Sequence, residues 1–358
     1  MLYYEQKEKE ILTALKEYQK GEMSLSKLTD FCNITREENI KYGLTVQPED
    51  NYNFFRYEKY WNLLLDILQN NVDKDSINEK IYTIKAEEFI ERVKSETKKI
   101  SGNTRKINKP VLYFDNNIFI NMKRDIPIER IKNEIQFVYS PAHLEELANS
   151  IREKNFEYND YIKKDLEYLS NLTNNLEFLP DLNKGIIICE ESPEYPLERV
   201  IKNYDGTILS EKLEKDFLEK REKIRKKLSL KTTASSIKGV LKSKNGEKLL
   251  NEKIWYKEYK NLHDKTLFWN KYKNNNDFLF SSLPGIVEII ELLDNNPEPS
   301  RKYRSHLHDT THIIYATQSD IFVTNDRRLS NKATEIFDFL GIQTKILNYE
   351  TFSELYLL

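Results

Sequence analysis

The 358-residue chain has only two cysteines, Cys32 and Cys189, far apart and in no CxxC pair. A disulfide framework and a thiolate zinc finger therefore drop out, and two reduced, partly buried thiols are expected. No segment approaches the roughly 18 to 20 uncharged apolar residues that a bilayer span needs. The opening MLYYEQKEKE is charged where a signal peptide has its apolar core, so the expectation is a cytoplasmic protein with no membrane partner. An excess of one charge is also missing: 56 Lys and Arg face 58 Asp and Glu, a net −2, with a pI near 6.3. Global charge will not draw this chain to nucleic acid, and any such binding must rest on a local patch. With 9 Gly and 10 Pro there is no Gly/Ser or Pro linker, and no repeat of fixed period.

Aromatic residues are plentiful: 22 Tyr, 17 Phe and 3 Trp in a chain that is 39% hydrophobic. They supply a sizeable core despite a mean hydropathy of −0.69, and they exclude wholesale disorder. The length suggests two domains, or one with large insertions. Ile11, Leu12 and Leu15, then Tyr60, Leu63, Leu64, Ile67 and Leu68, stand at helical spacing, and residues 1–108 are read as an all-helical region. Within it LSKLTDFCNITREENIKYGL could form a helix-turn-helix, but the second helix is not basic, and two short core-packing helices are expected.

The pattern changes after SGNTRKINKP. Short apolar runs follow at VLYF (111–114), FVYS (137–140), LEFLP (176–180), IFVT (321–324) and TKIL (344–347), separated by helical sequence such as PAHLEELANSI, where Pro141 suits a first turn. Alternating strands and helices predict an α/β domain over 109–358, a three-layer α/β/α arrangement around a parallel sheet with right-handed crossovers. The interval from about 181 to 300 exceeds one crossover and is read as a mostly helical insertion.

Four acids fall where such a sheet places its sites, at the carboxyl ends of strands. Asp115 ends the first strand, Glu146 follows Ser140 by six residues, Asp309 is expected to open a helix, and Asp326 follows IFVT. Clustered carboxylates repel one another and stay ionised only beside a compensating cation. Hard oxygen ligands suit Mg²⁺ or Mn²⁺, and the chemistry implied is phosphodiester hydrolysis.

The same residues resemble a known family. YFDNNIFI resembles the opening strand and D-x-N motif of PIN domains, the nuclease fold of bacterial toxin ribonucleases and RNA-processing enzymes; SPAHLEEL, HDTTHIIYA and VTNDRRL with GIQTKIL resemble its later motifs. Together they cover roughly 90 residues, in matching order. The resemblance implies a PIN-like sheet and a metal-dependent endoribonuclease acting on single-stranded or loop RNA. A toxin or antiviral effector and a processing enzyme share that description, and a structure-specific DNA nuclease or an inactive PIN-like RNA- or partner-binding module are the alternatives. The family's metal-binding and catalytic roles carry over to Asp115, Glu146, Asp309 and Asp326, with Asn117 and Thr324 orienting carboxylates and Asn325 supporting them. Glu146 is preferred over Glu145 by its place before Leu147. The departure is length, since 163 residues separate Glu146 from Asp309.

Plainer readings compete. A single Asp after a strand is usually a helix N-cap, and Asp125, Asp160 and Asp165 suit a solvated face. His308 and His312 mimic the HExxH zinc helix, but Asp309 is a methylene shorter than the Glu base and no third ligand follows. His143 and His263 stand singly. From Lys220 to Lys248 eleven basic residues face two acidic ones; this run is expected to contact the RNA backbone through Arg225, Lys226 and Lys227, or else to be a solvated face or a dock for an acidic inhibitor or regulatory protein. Trp255, Tyr256, Tyr259 and Trp269 suit either base stacking or a local core. A homo-oligomer is compatible with all of this.

Overall fold

The computed structural model describes residues 3–43, 51–95, 103–125, 134–153, 160–181, 183–202, 219–228, 237–294 and 303–357. The chain divides into two compact units, Met1–Thr97 with Asn149–Asp160, and Lys98–Ala148 with Tyr161–Leu358. The last helix of the first unit ends at Ser95, and β1 (Asn103–Thr104) pairs with a strand of the second unit.

The first unit contains α1 (Tyr3–Lys20), α2 (Leu25–Gly43), α3 (Asn51–Leu68) and α4 (Ile77–Ser95). Ile11, Leu15, Leu28, Tyr60, Leu64, Ile67 and Ile81 meet in one core, as the helical spacing requires. Leu25–Gly43 is one continuous helix rather than the two short ones expected; no Gly or Pro interrupts it before Gly43.

The second unit is built on β2 (Val111–Phe114), β3 (Gln136–Phe137), β4 (Leu176–Asp181), β5 (Gly185–Glu190), β6 (Ile321–Val323) and β7 (Lys345–Leu347). A parallel sheet runs in the order β3-β2-β6-β7. Beyond β3, Tyr139 bridges to Glu177 in parallel, its N–H donating to the Leu176 carbonyl and its carbonyl accepting from Phe178 N–H. β4 therefore extends the sheet to β4-β3-β2-β6-β7, which in chain order is 3-2-1-4-5. That is a doubly wound order, and the switch point lies between β2 and β6.

β2 is buried along its whole length, and its side chains alternate between two cores. On one face Tyr113 packs against Phe178, Tyr315 and Phe322. On the other, Phe114 packs against Phe119 of α5 (Asn116–Asp125) and Phe137, which meets Phe352 of α16 (Tyr349–Tyr356). The remaining helices are α6 (Pro141–Glu153), α7 (Asp160–Thr173), α8 (Glu194–Lys202), α9 (219–227), α10 (Lys244–Leu250), α11 (Ile254–Asn261), α12 (Lys265–Tyr272), α13 (Leu283–Leu293), α14 (Tyr303–Ala316) and α15 (Arg327–Leu340).

The insertion begins with a strand. The apolar run Ile186–Ile188 lies in β5, which pairs antiparallel with β4 through a turn whose Asp181 carboxylate accepts from Asn183 and Lys184 N–H. Nor is the insertion an appendage, because Leu250, Tyr256, Tyr259, Phe268 and Val287 share one core with Tyr113, Phe322 and Ile336. Gly341 ends α15 at φ 73°, and a Cβ there would stand 2.7 Å from Thr266 N. Only glycine lets α15 end so close to α12. Among the described residues no helix is long and apolar enough to cross a membrane.

Candidate functional site

Three of the strand ends start helices with a polar side chain. Asp115 after β2 accepts from Ile118 N–H (3.0 Å), Ser140 after β3 from Ala142 N–H (3.3 Å), and Asp326 after β6 from Arg328 and Leu329 N–H (2.7 and 3.0 Å). Capping places these groups at the carboxyl edge of the sheet, beside the positive ends of three helices.

Of the four acids Asp115 is the most buried, at 3% exposure. Its Oδ2 accepts a hydrogen bond from Thr324 Oγ1, which itself accepts from Asp326 N–H at 3.0 Å. One buried hydroxyl thus joins the ends of β2 and β6 across the switch point. Burial pushes the Asp115 carboxyl above its ordinary value, against the opposing effects of Thr324, His312 and Ile118 N–H. Glu146 reaches the same place from α6: its Oε2 accepts from Asn116 Nδ2 at 2.7 Å, and its Oε1 lies 3.3 Å from His312 Nε2. Burial works to raise its pKa, but His312 and Asn116 outweigh burial and hold it low.

His312 is buried, and burial alone would depress it; Glu146, Asp115 and Asp309 raise it instead. As imidazolium it donates at Nε2 to Glu146 and at Nδ1 to Tyr113 Oη, 2.8 Å away, and Tyr113 then donates to Ser140 Oγ at 2.7 Å. Beneath Ser140, His143 accepts from Ser140 N–H at Nδ1 and donates from Nε2 to the Phe114 carbonyl. Burial and the neighbouring His312 push His143 down to about 3, so it stays neutral.

Asp309 does not open a helix; α14 already runs from Tyr303. Its Oδ2 lies 3.0 Å from Lys332 Nζ, and Lys332, at 1% exposure, also pairs with Glu291 of α13 at 2.5 Å. The cation that compensates Asp309 is thus a side chain of α15. Asp326 is exposed, and both its cap bonds go to Oδ1.

Other assignments change. Asn117 is exposed, and Asn116 is the side chain that reaches Glu146. Asn325 accepts from Tyr349 N–H at 2.9 Å and so ties this loop to α16. Glu145 faces His308 at 3.5 Å, one helix position away from the Glu146 contacts. The zinc helix fails because Glu146 and Tyr113 engage both nitrogens of His312. Arg225 is 7% exposed, and its Nη1 donates to the Leu292 and Asp294 carbonyls. It closes the C-terminus of α13 and is no phosphate contact, whereas Lys226 and Lys227 are exposed. Tyr256, Tyr259 and Trp269 are core, and His263 is exposed.

The residues that sequence reading missed are Lys332, Glu291, Asn116 and Tyr113. Lys332 had a signal: with Leu329, Ala333 and Ile336 it stands on the apolar stripe of α15, where an ammonium needs a buried partner.

A divalent ion fits part of this set. Asp115, Glu146 and Asp326 offer only hard oxygens, and Asp326 Oδ2 accepts no hydrogen bond from the described residues. No three of the four acids bring ligand atoms within 4.8 Å of one another; among the described residues only Glu177, Cys189 and Glu191 do so. Such spacing suits a hydrated Mg²⁺ or Mn²⁺ held directly by one or two carboxylates, and not a cation caged by all four. No protein-family model, no curated protein and no solved structure matches the chain.

Proposed function

We propose that the second unit is a metal-dependent, PIN-like endoribonuclease that hydrolyses phosphodiester bonds of single-stranded or loop RNA. The observation that supports this best is Asp115: a buried carboxylate at the switch point of a doubly wound sheet, fixed by Thr324 and a helix N-terminus, with Glu146 beside it. In this reading Asp115, Glu146 and Asp326 hold Mg²⁺ or Mn²⁺. The bound ion would polarise the phosphoryl oxygen and lower the pKa of its water.

The chain's own groups do the rest. Thr324 orients Asp115, and Asn116 with His312 keeps Glu146 ionised and aimed. Lys332 offsets one of the two charges of Asp309 and Glu291, so Asp309 is not a free carboxylate facing a polyanion. The N-termini of α5, α6 and α15 aim backbone N–H groups at the strand ends, which favours a phosphate. Exposed Lys226 and Lys227 supply backbone contacts away from the acids.

A second reading, an inactive RNA- or partner-binding module, is favoured by one observation. Lys332 and His312 compensate Asp309 and Glu146 without any metal, so acids retained in a fold do not by themselves require one. Purified protein incubated with total RNA and with single-stranded DNA, each with Mn²⁺, Mg²⁺ or EDTA, separates these readings. Metal-dependent RNA cuts support the ribonuclease, cuts confined to DNA the DNA nuclease, and binding without cuts the inactive module.

A further inference from the structure

A second polar cluster, sharing no residue with the strand-end acids, lies in the β4–β5 hairpin. Glu177 and Cys189 are directly opposed in the antiparallel register, so their side chains share a face, and Glu191 follows β5. One ligand atom from each lies within 4.8 Å of the others.

Glu177 is the anomaly. It is 0% exposed, and among the described residues no N–H donor reaches either carboxylate oxygen, the Glu191 carboxyl being its close neighbour. The nearest cation, Arg199 of α8, sits 3.6 Å from Glu177 Oε2, beyond a good hydrogen bond. Its two Nη groups are committed to Glu191, at 2.9 and 2.7 Å. Arg199 therefore orients Glu191 and gives Glu177 only a longer ion pair. A wholly buried carboxyl with no donor is costly and rare. Tyr139 Oη donates to the Glu191 backbone carbonyl at 2.7 Å and fixes the same loop.

We propose that Glu177, Cys189 and Glu191 form a structural site for a thiophilic divalent cation, Zn²⁺ or its surrogate Cd²⁺. Sulfur with two carboxylate oxygens is a donor set that Zn²⁺ accepts and Mg²⁺ or Mn²⁺ does not prefer. The ligands would be carboxylate, carboxylate and thiolate; the cation together with Arg199 balances their charge. Arg199 and the Tyr139 contact hold the ligand loop as outer partners commonly do. Without the cation, burial and the neighbouring Glu177 and Glu191 push the Cys189 thiol up to about 12, and burial raises Glu177 well above its ordinary value. A cation takes Cys189 as the thiolate, so binding displaces the thiol proton. The consequence is a clamp joining β4, β5 and the start of the chain toward α8.

The test uses the full-length protein, stripped with EDTA and titrated with CdCl2 in weak buffer. The expected result is one equivalent bound per chain, with a sulfur-to-cadmium charge-transfer band, proton release and a higher melting temperature. Cys189→Ser abolishes the band and Cys32→Ser keeps it, while Glu177→Gln weakens binding at least about tenfold. Mn²⁺-dependent RNA cleavage should be the same in Glu177→Gln as in wild type, so failure here is distinct from failure of the nuclease reading. No band, a band that survives Cys189→Ser, or unchanged affinity in Glu177→Gln would overturn the proposal. If Cys189→Ser loses its circular dichroism signal, Glu177→Gln alone decides.

Discussion

Replacing Lys332 by Met removes an ammonium and keeps the length of the side chain. Lys332 sits at 1% exposure between Asp309 at 3.0 Å and Glu291 at 2.5 Å, on three helices that pack together. The variant leaves two carboxylates inside the second unit with no cation. Breaking a buried pair in this way costs about 3–5 kcal/mol. A domain of this size loses about 2–4 °C per kcal/mol, so its melting transition should fall by ~6–20 °C. The sign with pH follows from Lys332 itself: burial opposes its charge, but Glu291 and Asp309 outweigh burial and raise its pKa. Its contribution is thus complete below the unfolded lysine value near 10.4 and is lost only as pH rises through the higher folded value. From about pH 6 to 9 the gap between wild type and variant should be constant, and in acid it should narrow as the stranded carboxylates take up protons. Adding Asp309→Asn and Glu291→Gln to Lys332→Met should recover most of the loss, since no bare charge remains. Scanning calorimetry reads all three proteins. A loss below about 1 kcal/mol in the single variant, with no recovery in the triple, would show that the ammonium does not compensate these acids.

In EDTA, the His312 ring should titrate above 6.5 by NMR and shift down in Glu146→Gln. Raised in the fold, His312 contributes stability that is full below 6.5 and lost as pH rises through its folded value; Glu146, lowered, contributes above 4.5 and loses that as pH falls through its folded value, so the pair stabilises most between the two. Arg225→Met should cost about 1–3 kcal/mol in urea denaturation, because the Leu292 and Asp294 carbonyls lose a buried charged donor. Lys226→Gln with Lys227→Gln should leave stability unchanged and reduce the log-affinity versus log-salt slope for single-stranded RNA by about 1.4; an unchanged slope would move the basic run to partner binding.

Much of the second unit was legible because its parallel strands are short apolar runs ending at acids. VLYF and IFV are buried on both faces, and such strands read as unbroken hydrophobic sequence. The β5 run GIIICE stands at the head of a long, mostly charged helical interval that masks its pattern, although three consecutive isoleucines favour a strand. At the site, Asp115 and Thr324 directly follow β2 and β6, and Glu146 lies on α6. The partner of each was not legible, since it depends on helix phase and on contacts distant in sequence: Asn116 instead of Asn117, and Lys332 for Asp309 across 23 residues. Charge density also misled, because Arg225 reads as one more cation of a basic run yet is buried against the end of α13.

Mn²⁺-dependent cleavage of RNA by wild type and by Asp115→Asn is the most direct measurement. Wild type should cut RNA internally with Mn²⁺ or Mg²⁺ and stop on EDTA. Asp115→Asn should retain its fold by circular dichroism and cut at least about a thousandfold more slowly, equivalent to about 4 kcal/mol of lost transition-state stabilisation. Equal cleavage by the folded variant, or cleavage that survives EDTA in wild type, would contradict a metal-dependent nuclease centred on Asp115.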